Sequence, residues 1–243
     1  MSKVYADAIA TTEASQDLTL GGSGDNVIVT AGATLKTNTI KDSGGNTLWT
    51  SDGSGNLSSV NAALASSNMV LLSTQTASNA ASVSFTSGID STYRLYIFKF
   101  ININPATDGA KFEFQGNAVG QSGYNETITS TLFCAYHDEA DANTDLQYES
   151  ARDQAQGTAY QYLTSGVGSG ADENCAGELY LFNPSSITYV KHFYARVNEY
   201  YYVDYTLDNF VAGYFNVTTA IDEISFKMSS GNFDGTIKMW GVK

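Results

Sequence analysis

Along most of the chain, short apolar runs alternate with clusters of turn-forming residues, and the apolar positions within a run repeat every second residue. In "KFEFQ" (111–115) Phe112 and Phe114 alternate with Lys111, Glu113 and Gln115; in "SVSFT" (82–86) Val83 and Phe85 alternate with Ser82, Ser84 and Thr86. A strand turns successive side chains to opposite faces, so this spacing predicts strands with one buried and one solvated face. The series continues through "MVLLSTQT", "YRLYIFKFININ" (93–104), "YNETITSTLFCAYH" (124–137), "GELYLFN" (177–183), "YVKHFYARV" (189–197), "NFVAGYFNVT" (209–218), "DEISFKM" and "GTIKMWGVK". Roughly eight to ten such strands over residues 69–243 predict a β-sandwich, most simply a jelly roll.

Before residue 69 the pattern thins to "LTL" (18–20), "VIV" (27–29), "LKTNTI" (35–40) and "TLWT" (47–50), each bounded by a turn cluster. "GGSGDN", "DSGGN" and "DGSGN" echo one another, and the last two set Asp42 and Asp52, then Asn46 and Asn56, ten residues apart. Gly, Asn and Asp supply the left-handed backbone that tight turns need, so residues 1–68 are expected to form a ribbon of short strands and turns with a weak internal repeat. Such a ribbon buries little by itself. Its scarce apolar contacts, Leu48 and Trp49 foremost, are expected to be completed by neighbouring subunits or a larger body. "SSVNAALASSN" (58–68) predicts a short helix or connector capped by Ser58 or Ser59, joining this N-terminal region to a C-terminal region of residues 69–243. The fold expected is therefore all-β: a ribbon followed by a jelly-roll-like sandwich.

One interval breaks the alternation. Residues 138–176 are polar and acidic with no clear strand pattern, which predicts a surface excursion, with a short helix over "LQYESARDQAQ" (146–156).

Composition sharpens the division. Hydrophobic residues make up 42% and charged residues 15%, a balance that excludes disorder throughout. Of the aromatic residues only Tyr5 and Trp49 precede residue 69, so only the second region has material for a conventional core. The net charge of −13 argues against nucleic acid, whose phosphates such a surface repels, and against anionic membranes. The longest apolar run is about half of the roughly 20 residues a membrane-spanning helix needs, and the start carries no apolar run like that of a signal peptide. Cys134 and Cys175 are the only cysteines. The expectation is two unrelated buried thiols and synthesis in a reducing cytoplasm.

The chemical motifs are thin. His137 and His192 are the only histidines, no G-x-S-x-G elbow is present, and "GVGSGA" (166–171) lacks the strand and helix a dinucleotide site requires and is expected to be a flexible loop. Asp141, Asn143 and Asp145 open like a calcium loop, but Leu146 and Arg152 stand where glycine and glutamate are needed, so an EF-hand is excluded. A looser structural calcium site built from Asp138, Asp141, Asn143 and Asp145 is the one cofactor candidate; the other reading is a solvated acidic loop. No carboxylate pair stands out for glycoside hydrolysis, and a non-enzymatic role is expected. "NEYYYVDY" (198–205) concentrates Tyr200, Tyr201, Tyr202 and Tyr205, and exposed tyrosines make binding or subunit interfaces.

The segments "TIKDSGGNTLWTSDGSGNLSSVN" (39–61), "FTSGIDSTY" (85–93), "LFNPSS" (181–186) and "FKMSSGNFDGTIKMWGVK" (226–243) together resemble virion structural proteins, fibre- or decoration-like, of tailed bacteriophages, particularly marine ones. The first is similar to the Gly/Asn/Ser turn-and-strand modules that precede the heads of such fibres, and the last resembles their closing strand. Residues 1–38 carry none of the resemblance. It implies a homotrimer made in the bacterial host cytoplasm and located on the virion. Residues 1–68 would dock on other virion proteins, and an exposed β-rich head would follow, with attachment to a host glycan or receptor as an alternative role. It transfers no individual binding residue.

Overall fold

The computed structural model describes residues 39–42, 44–54, 56–60 and 68–243, and the chain divides into two units, Met1–Ser66 and Ser67–Lys243. The runs expected as strands at 18–20, 27–29 and 35–38, and residues 61–67 of the expected helix, lie outside the described residues.

In the first unit, β1 (Thr39–Lys41), β2 (Thr47–Ser51) and β3 (Leu57–Val60) form an antiparallel sheet in that order. Ser58–Val60 therefore begin no helix: Ser59 pairs with Thr50 and Val60 with Trp49, and β-branched Val60 suits a strand. Ile40, Trp49 and Val60 lie in one row across the three strands. The two linking turns are built alike. Asp42 Oδ1 accepts the backbone N–H groups of Gly44 and Asn46 while Oδ2 accepts the Asn46 amide at 3.0 Å. Ten residues on, Asp52 takes the N–H groups of Ser54 and Asn56 and the Asn56 amide at 2.9 Å. Gly45 (φ 81°) and Gly53 (φ 80°) supply the left-handed residue each turn needs. The internal repeat is thus a repeated side-chain clasp, one at each end of β2.

Hydrogen bonds from Asn46 and Asn56 favour the charged carboxylates and hold both aspartates below the ordinary value of 3.8. With the folded value depressed, the clasp contributes stability above the ordinary aspartate range and loses it as pH falls through the folded value. Asn56→Ala is expected to move the Asp52 titration back toward 3.8 and leave Asp42 in place, read by carboxyl-carbon NMR.

The second unit holds β4 (Met69–Ala80), β5 (Ser82–Phe85), β6 (Leu95–Pro105), β7 (Phe112–Ala118), β8 (Ile128–Asp138), β9 (Thr144–Tyr148), β10 (Ala155–Gly157), β11 (Gln161–Tyr162), β12 (Cys175–Phe182), β13 (Lys191–Tyr201), β14 (Tyr205–Phe215), β15 (Ile221–Met228) and β16 (Phe233–Val242). A nine-stranded sheet runs β10-β8-β14-β13-β12-β6-β16-β4, with β9 also on β8, and a four-stranded sheet runs β11-β7-β15-β5. Successive strands cross between the sheets, and the antiparallel pairs nest from the outside inward: β4 with β16, β5 with β15, β6 with β12, β7 with β11. That winding is the jelly roll. Two insertions widen the larger sheet: β8 to β10 between β7 and β11, and the β13–β14 hairpin between β12 and β15.

The aromatic residues fill the space between the sheets. Phe226, fully buried in β15, lies 5.3 Å from both Phe98 and Phe100, 5.8 Å from Phe112, 6.2 Å from Phe85 and 6.3 Å from Phe114, centroid to centroid. Gly213 of β14 admits this packing nearby: a Cβ there would stand 2.8 Å from the Phe193 ring and 2.5 Å from the Thr129 carbonyl.

Three expectations need correction. Glu113 and Gln115 do not face water, because the second face of β7 is also covered: Gln115 Nε2 donates to the carbonyls of Glu126, Thr158 and Ala159, and Glu113 pairs with Lys227 at 3.3 Å. Residues 144–157 form β9, a turn and β10 rather than a helix, because "TDLQY" (144–148) pairs in register with β8. "GVGSGA" is no flexible loop: Val167 is fully buried, its N–H donates to the Ala110 carbonyl, and Gly168 N–H donates to Tyr200.

The inward row of β13 reads Lys191, Phe193, Ala195, Val197, Glu199, with a buried ionisable side chain at each end. Lys191 Nζ donates to the carbonyls of Tyr189, Val217 and Thr218, which pins the β14–β15 connection. The Glu199 carboxylate accepts the N–H groups of Ser165 (2.7 Å) and Gly166 (3.0 Å) and the Asn209 amide (3.0 Å), which pins the chain between β11 and β12. Asn209 Oδ1 in turn accepts the Ser165 hydroxyl.

Candidate binding face

Among the residues singled out from sequence, Leu48 and Trp49 lie half-buried in β2. In β3 beside them Leu57 is 56% exposed and Val60 37% exposed. The ribbon presents apolar side chains it does not itself bury.

The four tyrosines gather at the β13–β14 turn. Tyr201 and Tyr202 rings are 4.6 Å apart, Tyr201 and Tyr205 6.0 Å, and Tyr205 stacks on Tyr136 at 5.5 Å. Tyr200 donates its hydroxyl to Asp204 at 2.9 Å, and that carboxylate pushes the phenol up from its ordinary value. Burial pushes Tyr201 up to about 12. Tyr202 is the most exposed of the four, and its ring and that of Tyr201 pack over Gly166, with Tyr202 also over Gly109.

Next to it lies an open cleft of about 420 Å³ lined by His137, Asp138, Glu139, Asp172, Tyr200 and Tyr205. Of the calcium candidates, Asp138 lines this cleft and forms another Asp–Asn clasp with Asn143. Asp138 accepts the Ala142 N–H and the Asn143 amide, which hold its carboxyl below the ordinary range. Asp141 bonds the exposed His137 ring at 3.1 Å, and Asp145 accepts the N–H of Leu146. Among the described residues no group of three or more His, Cys, Asp or Glu side chains is placed to hold a metal ion. The buried thiols are free: Cys134 is pushed up to about 11 and Cys175 well above its ordinary value, chiefly by burial, which keeps both protonated at neutral pH. His192 is exposed and rests against Tyr214.

The feature with the clearest binding character is the outward face of the larger sheet. Strand alternation turns Tyr180 and Phe182 (β12), His192, Tyr194 and Arg196 (β13), Phe210, Ala212 and Tyr214 (β14) and Phe133 (β8) away from the core. Their rings stack across strands: Tyr180 on Tyr194 at 4.5 Å, and Phe133 on Phe210 at 4.9 Å with Arg196 over the far side of the pair at 5.1 Å from the Phe210 centroid. Arg196 is oriented by a forked contact in which Nε and Nη2 both donate to Asp208. Tyr180 donates to Glu178, and burial together with that carboxylate pushes its phenol up to about 12. Phe133 is 41% and Tyr194 44% exposed, a density of solvent-facing rings unusual for a surface with no partner.

Apart from His192, none of these residues was singled out from the sequence. The available signal was that "YVKHFYARV" and "NFVAGYFNVT" carry aromatics on both alternating sets, Phe193 with Tyr194 and Phe210 and Tyr214 with Phe215. A strand with one face in water has no packing need for the second set.

Comparison with known proteins adds no identification: no protein-family model matches the chain, no curated protein is detectably similar to it, and no solved structure matches its fold at a significant level.

Proposed function

We propose that this chain is a structural protein of a bacteriophage particle, a homotrimeric fibre or capsid-decorating protein. Residues 1–68 attach it to other virion proteins and hold sister chains together, and the jelly roll is displayed to solvent. The observation that carries this reading is the ribbon of residues 39–60. Its turns are fixed by repeated Asp–Asn clasps, yet Leu57 and Val60 stand exposed and Trp49 only half-buried. Short sheets of this kind are stabilised by packing an apolar face on something else, and three copies of one ribbon closed about a three-fold axis by heterologous contacts would supply it. The large acidic excess suits a displayed particle protein that must stay soluble and does not engage nucleic acid.

Light scattering and chemical cross-linking of the full chain are expected to give trimers. A stable monomer that keeps the ribbon's amide protection would overturn the anchoring role.

A second reading, attachment to a host surface glycan or receptor, is supported by the aromatic outer face of the larger sheet. It is compatible with the first, since a displayed head can also bind.

A further inference from the structure

The stacks on the outer face are interrupted at one position. Neighbouring strands lie about 4.8 Å apart, and the centroid separations of 4.5 Å for Tyr180–Tyr194, at 16° between planes, and 4.9 Å for Phe133–Phe210, at 4°, match that spacing. The rings therefore stand upright and stack along rows that cross the strands. One row runs Lys99, Glu178, Arg196, Phe210, Phe133, Tyr148. The next runs Ile97, Tyr180, Tyr194, Ala212, Thr131. In that second row the rung after Tyr194 is a methyl group. The space a ring would fill is a slot of about 280 Å³ bordered by Tyr194, Phe210, Phe133, Ala212 and Thr131, and a neighbouring depression reaches His192 and Tyr214.

We propose that this slot binds one neutral hexopyranose unit of a surface glycan, its apolar C–H face stacked on the free face of Tyr194. The proposal deepens, and rests on, the reading of the sandwich as a displayed attachment head. The opening is one ring wide, and one wall is a flat aromatic face, the geometry on which the apolar side of a sugar rests. Polar groups with spare capacity stand at the rim. Arg196 spends Nε and Nη2 on Asp208, leaving Nη1 for a sugar hydroxyl. Thr131 makes only a long 3.4 Å bond, to the Ala212 carbonyl, so its hydroxyl oxygen can accept another.

Charge selects among sugars. Glu178 and Asp208 line the next depression, across Arg196 from the slot, on a chain of net charge −13, so neutral sugars are favoured over anionic ones. A flat protein partner is a poorer match, because it would also have to desolvate the Lys99–Glu178 and Arg196–Asp208 pairs that flank the rings.

The test is a titration of the full chain, labelled with ¹³C at alanine methyls. The probes are methyl β-D-glucopyranoside, methyl β-D-galactopyranoside and methyl α-D-mannopyranoside, with methyl β-D-glucuronide as the anionic control. At least one neutral sugar is expected to shift the Ala212 methyl saturably, and the glucuronide to bind more weakly than its uncharged counterpart. Tyr194→Ala should weaken binding about tenfold, the equivalent of one lost aromatic contact. Ala212→Phe, which completes the row, should abolish binding, read by calorimetry because the reporting methyl is gone; Ala212→Leu is the smaller plug if the phenylalanine variant does not fold.

An Ala212 methyl unmoved by all three neutral sugars, or binding that survives a folded plug variant, overturns the proposal. So does a shift produced by N-acetyl-tyrosinamide and by no sugar, which would assign the slot to a peptide side chain. Failure here is distinct from failure of the particle reading. A monomer that binds sugar sinks the trimer and keeps the slot, and a trimer with a silent Ala212 methyl does the reverse.

Discussion

Phe226→Ala is expected to cost the sandwich about 4 kcal/mol, the middle of the range for removing a buried aromatic side chain. The reason is its position. β15 lies in the centre of the smaller sheet between β7 and β5, and Phe226 faces the larger sheet, where it touches rings from β5, β6 and β7 at once. Truncation removes one partner from five ring pairs, and rings held by both sheets cannot all relax into the space. For a unit of this size the loss corresponds to a drop of about 10 °C in melting temperature. A Trp49→Phe background leaves Trp240 of β16 as the only tryptophan, so its emission during urea unfolding reports the sandwich alone. A Phe226→Leu companion should recover more than half of the loss, since it restores most of the buried volume. A loss below about 1 kcal/mol for the alanine variant would mean that the rings close over the gap, contrary to a core packed to crystal-like density.

How much of this was legible in the sequence follows from which signals are local. Alternation in "SVSFT" and "KFEFQ" marks strands correctly because a strand's period belongs to the backbone itself. The Asp–Asn repeat marks the ribbon's turns for the same reason: each clasp closes within five residues, so its partners are visible in the sequence. The facing of β7 was not legible. Glu113 and Gln115 have polar side chains, and only the distant 124–126 and 158–160 segments, folding back across them, turn that face into an interior. The strands β9 to β11 were missed for a related reason. They are short and mostly polar, and what makes them strands is pairing with β8 and β7 rather than an apolar pattern of their own. The aromatic outer face was hidden by the opposite problem. Tyr194, Phe210 and Phe133 are far apart in the chain, and only the β13–β14–β8 register stacks them. The tyrosine run at 200–205 is conspicuous by density, yet it divides: Tyr201 and Tyr202 pack over Gly109 and Gly166, and Tyr200 and Tyr205 line the neighbouring cleft.

Glu199→Ala is the second change expected to have a large effect, about 3 kcal/mol of destabilisation, because it leaves a buried set of donors with nothing to bond. The Ser165 N–H, the Gly166 N–H and the Asn209 amide all converge on this carboxylate, and the site is sealed from water. The consequence should spread along the chain, since Gly166 and Gly168 are tied to Tyr202 and Tyr200 by backbone hydrogen bonds. Amide exchange is expected to rise through 163–168 and at Tyr200–Tyr202 while β4 and β16 stay protected.

The same residue gives a signed pH dependence. Burial pushes the Glu199 carboxyl above the ordinary carboxylate range, against the opposing pull of the two N–H groups and Asn209. A folded value above the unfolded one means that the folded state binds the proton more tightly. The stabilisation is therefore complete below the unfolded value and is lost as pH rises through the folded value. Glu199→Gln keeps the volume and removes the titration, so other groups cancel when the two chains are compared. The stability of the native protein relative to the glutamine variant should be greatest in acid and decline as pH rises above the ordinary glutamate range. An advantage that instead grows with pH would mean that the three donors outweigh burial, and that this carboxylate is held as a stable buried anion.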